Sequence, residues 1–400
     1  MAINSYKSKS REILFLLIVF MMFTMLLAYS PVLAFFVPLM FLALNYSFPI
    51  SIRIILASIS VFGAGFTVAS RLIRTNLKED DFSYIYYPLY KQIAIGQSIF
   101  DTNFSGGIEF ILPLLFKILH FLTGTLNPVY VMAFVTILCV GLTYVWLEMF
   151  AMKNIEHRLK GLCVAATLSM VAFTVTGQNM RQAISCIFLL FSISYYLDKR
   201  KIVSGLFFLI AFFAHTTALI VFPLFIVLLK GSTKVKIVSL ILCAIVSVFF
   251  NVLIGYAIST GALGAATYKL IYYTSDIQVS AGIGYLKFLI LIVGFSFFFF
   301  SKEHSEYKSL AIFGALIYAI LMPIPVLPYR FLLLLVTYLL GYLLFLSLYR
   351  IPLACRLLII LFCAYRIIKY GPFFNVDPND YMVLWASYPW AGQDFFYYLK

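Results

Sequence analysis

The sequence predicts an all-α polytopic integral membrane protein with roughly 12 to 14 transmembrane helices in a single domain over residues 1–400, and three observations carry that prediction. Hydrophobic residues make up 64% of the chain and charged residues 11%, with a mean hydropathy of +1.02, a balance that no ordinary soluble domain has. Apolar runs long enough to cross roughly 30 Å of hydrocarbon recur from residue 13 to residue 368. The net charge of +14 comes from short Lys/Arg clusters between those runs. Nucleic-acid binding needs a basic stripe interleaved with aromatic rings, which these clusters do not form, so they read as topology signals and nucleic acid is excluded as a partner.

The clusters dictate the threading, because Lys and Arg accumulate on the cytoplasmic side. Residues 13–28 follow Lys7, Lys9 and Arg11 as a signal peptide would, but further spans come at once without a small-residue cleavage site, so this run reads as a first anchor. Spans near 13–29, 32–46 and 52–70 bring the chain outside. Residues 71–127 then form an outer loop whose run 110–126, carrying Lys117 and His120, reads as a re-entrant or interfacial helix. The chain returns by Lys153, exits through 161–177, turns at "QNMRQ" (178–182) and comes back through 183–197 to "DKRK". The next apolar run has basic flanks on both sides and "HTT" at its midpoint. Two short helices meeting at His215, Thr216 and Thr217 keep both flanks inside, although about 14 residues per arm is short for a crossing. Residues 237–258 exit to an outer loop at 259–283, 284–301 return, 309–327 exit to "PYR", 331–349 return and 353–368 exit to an outer tail at 369–400. All six cysteines lie inside apolar runs without metal or redox spacing and read as small buried hydrophobes. No repeat between the halves of the chain is visible, against the duplicated bundles of many transporters.

This threading delivers Arg181, His215 and Arg330 to the outer boundary, where cations are disfavoured. One such arginine alone is explained by snorkelling to headgroups, and one such histidine by a structural role. Their shared depth points further: guanidinium forks match phosphate oxygens, so a membrane-embedded diphosphate suits them, with Gln178, Asn179 and Gln182 beside Arg181. A histidine there has the chemistry to take a proton from an attacking sugar hydroxyl. No DxD-like pair or HExxH stands near, so neither a metal nor another cofactor is expected. Among the outer carboxylates, Glu79 and Asp80 read as a solvated face. Asp81 leads into Tyr84, Tyr86, Tyr87 and Tyr90, and Glu109 stands at the lip of an apolar helix; ring and carboxylate together suit sugar binding, and the same rings suit an interfacial belt.

The order of these features resembles the EpsG-like family of polysaccharide polymerases, which includes many Wzy-type O-antigen polymerases. The resemblance rests on "EDDFSYIYYPLY", "GIEFILPLLFKIL", "NMRQAISCIFLLFSISYYL" and "GLFFLIAFFAHTTALIVFPLFIV", with "YR" at 329–330 and "YPW" at 388–390 as weaker echoes. The family has Pro after the Glu, where this chain has Phe110. The resemblance implies a GT-C-like helical arrangement and a bacterial inner-membrane glycosyltransferase. Such an enzyme joins undecaprenyl-diphosphate-linked oligosaccharide units at the periplasmic face, in a pathway shared with a flippase and a chain-length regulator. It further implies that Arg181 and Arg330 clamp diphosphate, that Gln178, Asn179 and Gln182 support Arg181, and that His215 assists deprotonation or positions the acceptor; Asp81, Tyr84 and Glu109 stand as substrate-binding candidates on their own chemistry. A lipid-linked glycan ligase and a flippase for lipid-linked oligosaccharides are the competing readings.

Overall fold

The computed structural model describes residues 2–44, 48–70, 81–102, 104–260, 280–324, 327–370 and 394–399. Glu79, Asp80, Asp377, Asp380 and the "YPW" segment at 388–390 lie outside them. Every regular element among the described residues is helical. The chain opens with α1 (Ala2–Tyr29), α2 (Pro31–Leu44) and α3 (Ile50–Ala69); a short π-helical turn (Phe82–Tyr86) leads into α4 (Tyr87–Ala94), followed by α5 (Ile111–Thr123) and α6 (Pro128–Trp146). Next come α7 (Lys160–Met170), α8 (Met180–Leu197), α9 (Lys201–Ala214), α10 (Ala218–Lys230), α11 (Thr233–Ser259), α12 (Ser280–Phe299) and α13 (Ser305–Leu321). The short α14 (Leu327–Phe331), a π-helical stretch (Leu334–Leu339) running into α15 (Leu340–Ser347), and α16 (Pro352–Tyr370) complete the bundle.

Four of these stretches are individually long and apolar enough to cross a membrane: Ile50–Ala69, Pro128–Ala151, Met180–Leu197 and Thr233–Phe250. Shorter apolar helices, among them Pro31–Leu44, Ile111–Thr123, Lys201–Ala214 and Ala218–Lys230, accompany them. At the centre stand α7 and the 332–348 segment, buried along their whole lengths. They touch backbone to backbone: a Cβ on Gly341 would lie 2.0 Å from the Ala166 carbonyl oxygen. Lipid tails are as apolar as leucine, so small residues that admit close backbone approach are what bring such helices together. Trp146 closes the centre from the side, donating its indole N–H to Ser194 Oγ at 2.8 Å.

The expected span 161–177 is broken. The α-helix stops at Met170, Val171 and Ala172 are non-helical, and a 3-10 turn follows over Phe173–Gly177. The tertiary contacts of that turn explain the break: the Phe173 ring packs 4.6 Å from that of Phe35, and the Thr176 and Thr136 hydroxyls bond at 2.6 Å. The predicted pair of short arms, by contrast, stands as α9 and α10, meeting at His215, Thr216 and Thr217. Serines zip α9 to α8, with Ser192 Oγ donating to the Ser204 carbonyl at 2.8 Å and Ser185 Oγ to that of Ala211 at 2.8 Å. This zipper runs α9 back along α8 and sets its C-terminal end beside the start of α8.

The basic clusters gather at one end of the bundle. Lys153 Nζ lies 2.6 Å from Asp198 Oδ2, and Lys230 pairs with Glu306, which joins four of the clusters. Among the cations read from sequence as topology signals, two arginines are internal: Arg356 is 3% exposed and donates to the Ala43 carbonyl, and Arg53 is 3% exposed and makes a bidentate pair with Glu148, at 2.8 and 2.9 Å, that ties α3 to the end of α6. The bidentate geometry is what makes burying that charge tolerable.

Candidate functional site

The opposite end of the bundle carries the polar cluster. Arg181 is the second residue of α8, whose 18 residues put about 27 Å between its start and the basic turn at its far end. The first turn of a helix has no intrahelical acceptors for its N–H groups, which favours anions there. The anion is Glu109. It is 1% exposed, on the two-residue link ahead of α5, and Arg181 Nη1 donates to its Oε2 although the two are 72 residues apart. Three donors converge on the other oxygen: Thr216 N–H at 2.9 Å, Thr216 Oγ1 at 2.9 Å and Ser105 Oγ at 3.0 Å. Burial alone would raise the Glu109 pKa. The Arg181 charge, His215 and the Thr216 bonds outweigh it and hold the carboxyl below its ordinary value of 4.5.

His215 stands where α9 ends and is 17% exposed at its side chain. Its Nδ1 lies 3.9 Å from Glu109 Oε1, too far for a hydrogen bond, and accepts the Thr217 N–H at 3.2 Å, with Thr217 Oγ1 at 2.9 Å. A ring nitrogen that accepts a backbone N–H presents its lone pair. The neutral imidazole therefore carries its proton on Nε2.

Arg330, at the end of the "PYR" segment in α14, joins the cluster through its backbone: Gln182 Nε2 donates to its carbonyl across 148 residues. Buried Tyr86 lies within electrostatic reach of both the Arg330 and the Arg181 charge. Arg181 is paired with Glu109, with its guanidinium carbon 3.8 Å from the centre of the Phe104 ring. Its Nε–H is buried with no hydrogen-bond partner among the described residues, so a donor is held in reserve.

Of the residues singled out in the sequence, the structure brings together Arg181, His215, Arg330, Glu109, Gln178, Gln182 and Asp81. Gln178 Oε1 accepts the Asp81 N–H at 3.3 Å, fixing the segment that carries Tyr86. Glu109, expected from sequence to contact sugar, accepts protein donors at both oxygens, which ties Arg181 and the turn at Thr216 to one carboxylate. Asn179 bonds through its backbone, its carbonyl accepting the Ala183 N–H at 2.8 Å, and makes no side-chain cap. Tyr84 is 59% exposed. In the same tyrosine series Tyr90 is fully buried, its hydroxyl taking the Leu126 N–H at 2.9 Å and donating to the Gly124 carbonyl at 3.0 Å. Sequence reasoning missed Tyr86, Phe104 and Ser105 as parts of the site. The tyrosine tract contained the first, but nothing local separates a ring that faces a guanidinium from one that faces lipid.

The arrangement offers a half-buried anion seat of guanidinium, imidazole N–H and phenol donors, built on the ends of helices that carry basic clusters at their far ends. Searches of curated proteins and of solved structures found no match. The sequence matches the EpsG family over residues 54–377, and that span includes every residue of the cluster. By that match over more than half its length, the chain belongs to the EpsG family, the family of Wzy-like O-antigen and exopolysaccharide polymerases.

Proposed function

We propose that this protein moves a growing glycan from its polyprenyl diphosphate carrier onto a new lipid-linked repeat unit, at the periplasmic face of a bacterial inner membrane, with undecaprenyl diphosphate as the carrier. The carrying observation is that Arg181 and the His215 turn meet at one buried carboxylate, Glu109, with the Arg330 backbone tied to the residue after Arg181 through Gln182, at the bundle end away from the Lys/Arg clusters. The positive-inside rule puts those clusters in the cytoplasm and hence the site outside. Membership of a polymerase family supports a lipid-linked glycan as the substrate.

In this reading the Arg181 Nε–H and the Arg330 guanidinium bind diphosphate oxygens, in a partly dry setting where such bonds are stronger than in water. Glu109 supplies no chemistry of its own; it fixes the plane of Arg181 and the turn of His215. The acceptor hydroxyl oxygen attacks the anomeric carbon as the bond from that carbon to the diphosphate oxygen breaks. Negative charge then grows on the leaving diphosphate, and donors already in place stabilise it selectively in the transition state. His215, protonated on Nε2, suits this task as a donor better than it suits removal of a proton. The hydroxyl proton passes instead to the leaving phosphate, whose terminal oxygen becomes basic, with a second pKa near about 6, as the bond breaks. The products are the lengthened lipid-linked glycan and polyprenyl diphosphate.

Deleting the gene in its host and resolving the surface glycan on a gel tests the proposal. Loss of long chains with a single repeat unit retained is the expected pattern, and Arg181→Ala or Arg330→Ala should reproduce it with the protein still in the membrane. Complete absence of surface glycan would instead indicate a flippase or ligase.

A further inference from the structure

A second cationic recess lies beside the cluster. It is a cavity of about 390 Å³ between the end of α7, the start of α12 and the end of α16. Arg366 and Lys369 line it together with Phe288, Phe362 and Leu340. Arg366 is set by Tyr370, which is 6% exposed: Nη2 donates to the tyrosine hydroxyl at 2.8 Å and the guanidinium carbon stands 4.8 Å from the ring centre. Among the described residues no carboxylate pairs with Arg366 or Lys369, and these two cations, three residues apart on α16, both line the recess. Thr174, also in the lining, belongs to the turn that runs directly into Gln178 and Arg181, so the recess and the arginine cluster share one end of the bundle. The wall between them includes Tyr285, whose ring stacks on that of Tyr329, next to Arg330, at 5.4 Å. Outward, the recess meets a stripe of exposed apolar side chains on α16, namely Leu357, Leu361, Tyr365 and Ile368, at helical spacing suited to lipid.

Joining two lipid-linked units requires two diphosphates at the protein at once, and only one of them leaves. Resting on the function proposed above, we infer that this recess holds the second polyprenyl diphosphate, that of the acceptor unit. The division follows from the chemistry. The leaving diphosphate gains charge and needs the buried, pre-oriented donors around Arg181. The acceptor diphosphate does not react and needs only to be bound, for which a more open cationic rim suffices, with its prenyl chain along the α16 stripe and its sugar passing over the Tyr285–Tyr329 pair toward Arg330.

The test uses purified full-length protein in detergent, with sugar-free polyprenyl diphosphate as the probe and native mass spectrometry as the count, alongside chain extension in proteoliposomes. Wild type should hold two probe molecules, and Arg366→Ala/Lys369→Ala one. Each charged bond lost is worth about 1.5–3 kcal/mol, so the double variant should raise KM for the lipid-linked unit by about tenfold or more while kcat changes by about twofold or less. A Cβ on Gly284 would meet no heavy atom within 4 Å. Gly284→Leu therefore adds apolar bulk to the recess lining without a Cβ clash and without removing a charge, and should raise KM in the same way. Two bound molecules and an unchanged KM in both variants overturn the inference, as does phosphatidylglycerol holding the recess against excess polyprenyl diphosphate. Either result leaves the parent function standing as long as Arg181→Ala abolishes extension; normal extension in Arg181→Ala and Arg330→Ala refutes the parent function itself.

Discussion

Glu109→Gln is the substitution that separates positioning from chemistry at this site. The amide keeps the shape of the carboxylate and one acceptor oxygen for Ser105 and Thr216, but it turns an N–H₂ or a neutral oxygen toward Arg181. The charged bond itself is worth about 1.5–3 kcal/mol, and a guanidinium 15% exposed and stripped of its partner brings the cost to about 3–5 kcal/mol. Chain extension in proteoliposomes should fall by about 100-fold or more, because about 3 kcal/mol of misplacement at the diphosphate seat appears in the transition state. The double substitution Glu109→Gln/Arg181→Gln discriminates further. With the orphaned cation gone, thermal unfolding in detergent should recover about 2 kcal/mol relative to Glu109→Gln, while activity stays lost. A Glu109→Gln protein as stable and active as wild type would falsify the positioning role, and an active double variant would remove Arg181 from diphosphate binding.

Three other outcomes follow from the same geometry. His215→Gln, whose amide nitrogen can stand near the position of Nε2, should retain measurable chain extension where His215→Ala retains none; equal loss in both would restore the proton-accepting role. Because the folded pKa of Glu109 is lowered, its ion pair contributes fully above the ordinary value of 4.5 and is lost as pH falls from there through the lower native value, so melting temperature should show no Glu109-dependent change from neutral pH down to 4.5 and a progressive drop below it, absent in Glu109→Gln. Gly341→Val should destabilise the bundle by about 3 kcal/mol or more, since its Cβ would lie 2.0 Å from the Ala166 carbonyl oxygen, with lowered membrane abundance as the readout; normal abundance would mean that the α7–α15 contact can slide apart.

Much of the architecture was legible because its causes are local. Apolar runs and basic clusters act one segment at a time, so the class, the helix positions, the short paired arms at "HTT" and the cations of interest could all be read in order along the chain. The resemblance to the EpsG family had the same basis, since its motifs are contiguous strings, and it was confirmed over residues 54–377. Which groups meet across 72, 107 or 148 residues is a different matter, decided by how buried surfaces pack. Only the tertiary structure brought Glu109 onto Arg181 and Thr216, stopped the helix at Met170, drew Arg53 inward onto Glu148, and set Arg366 and Lys369 around a recess at the same end of the bundle as Arg330. The reason is that a buried charge has no solvent to satisfy it, so its role is defined by its partner, and the partner lies on another helix.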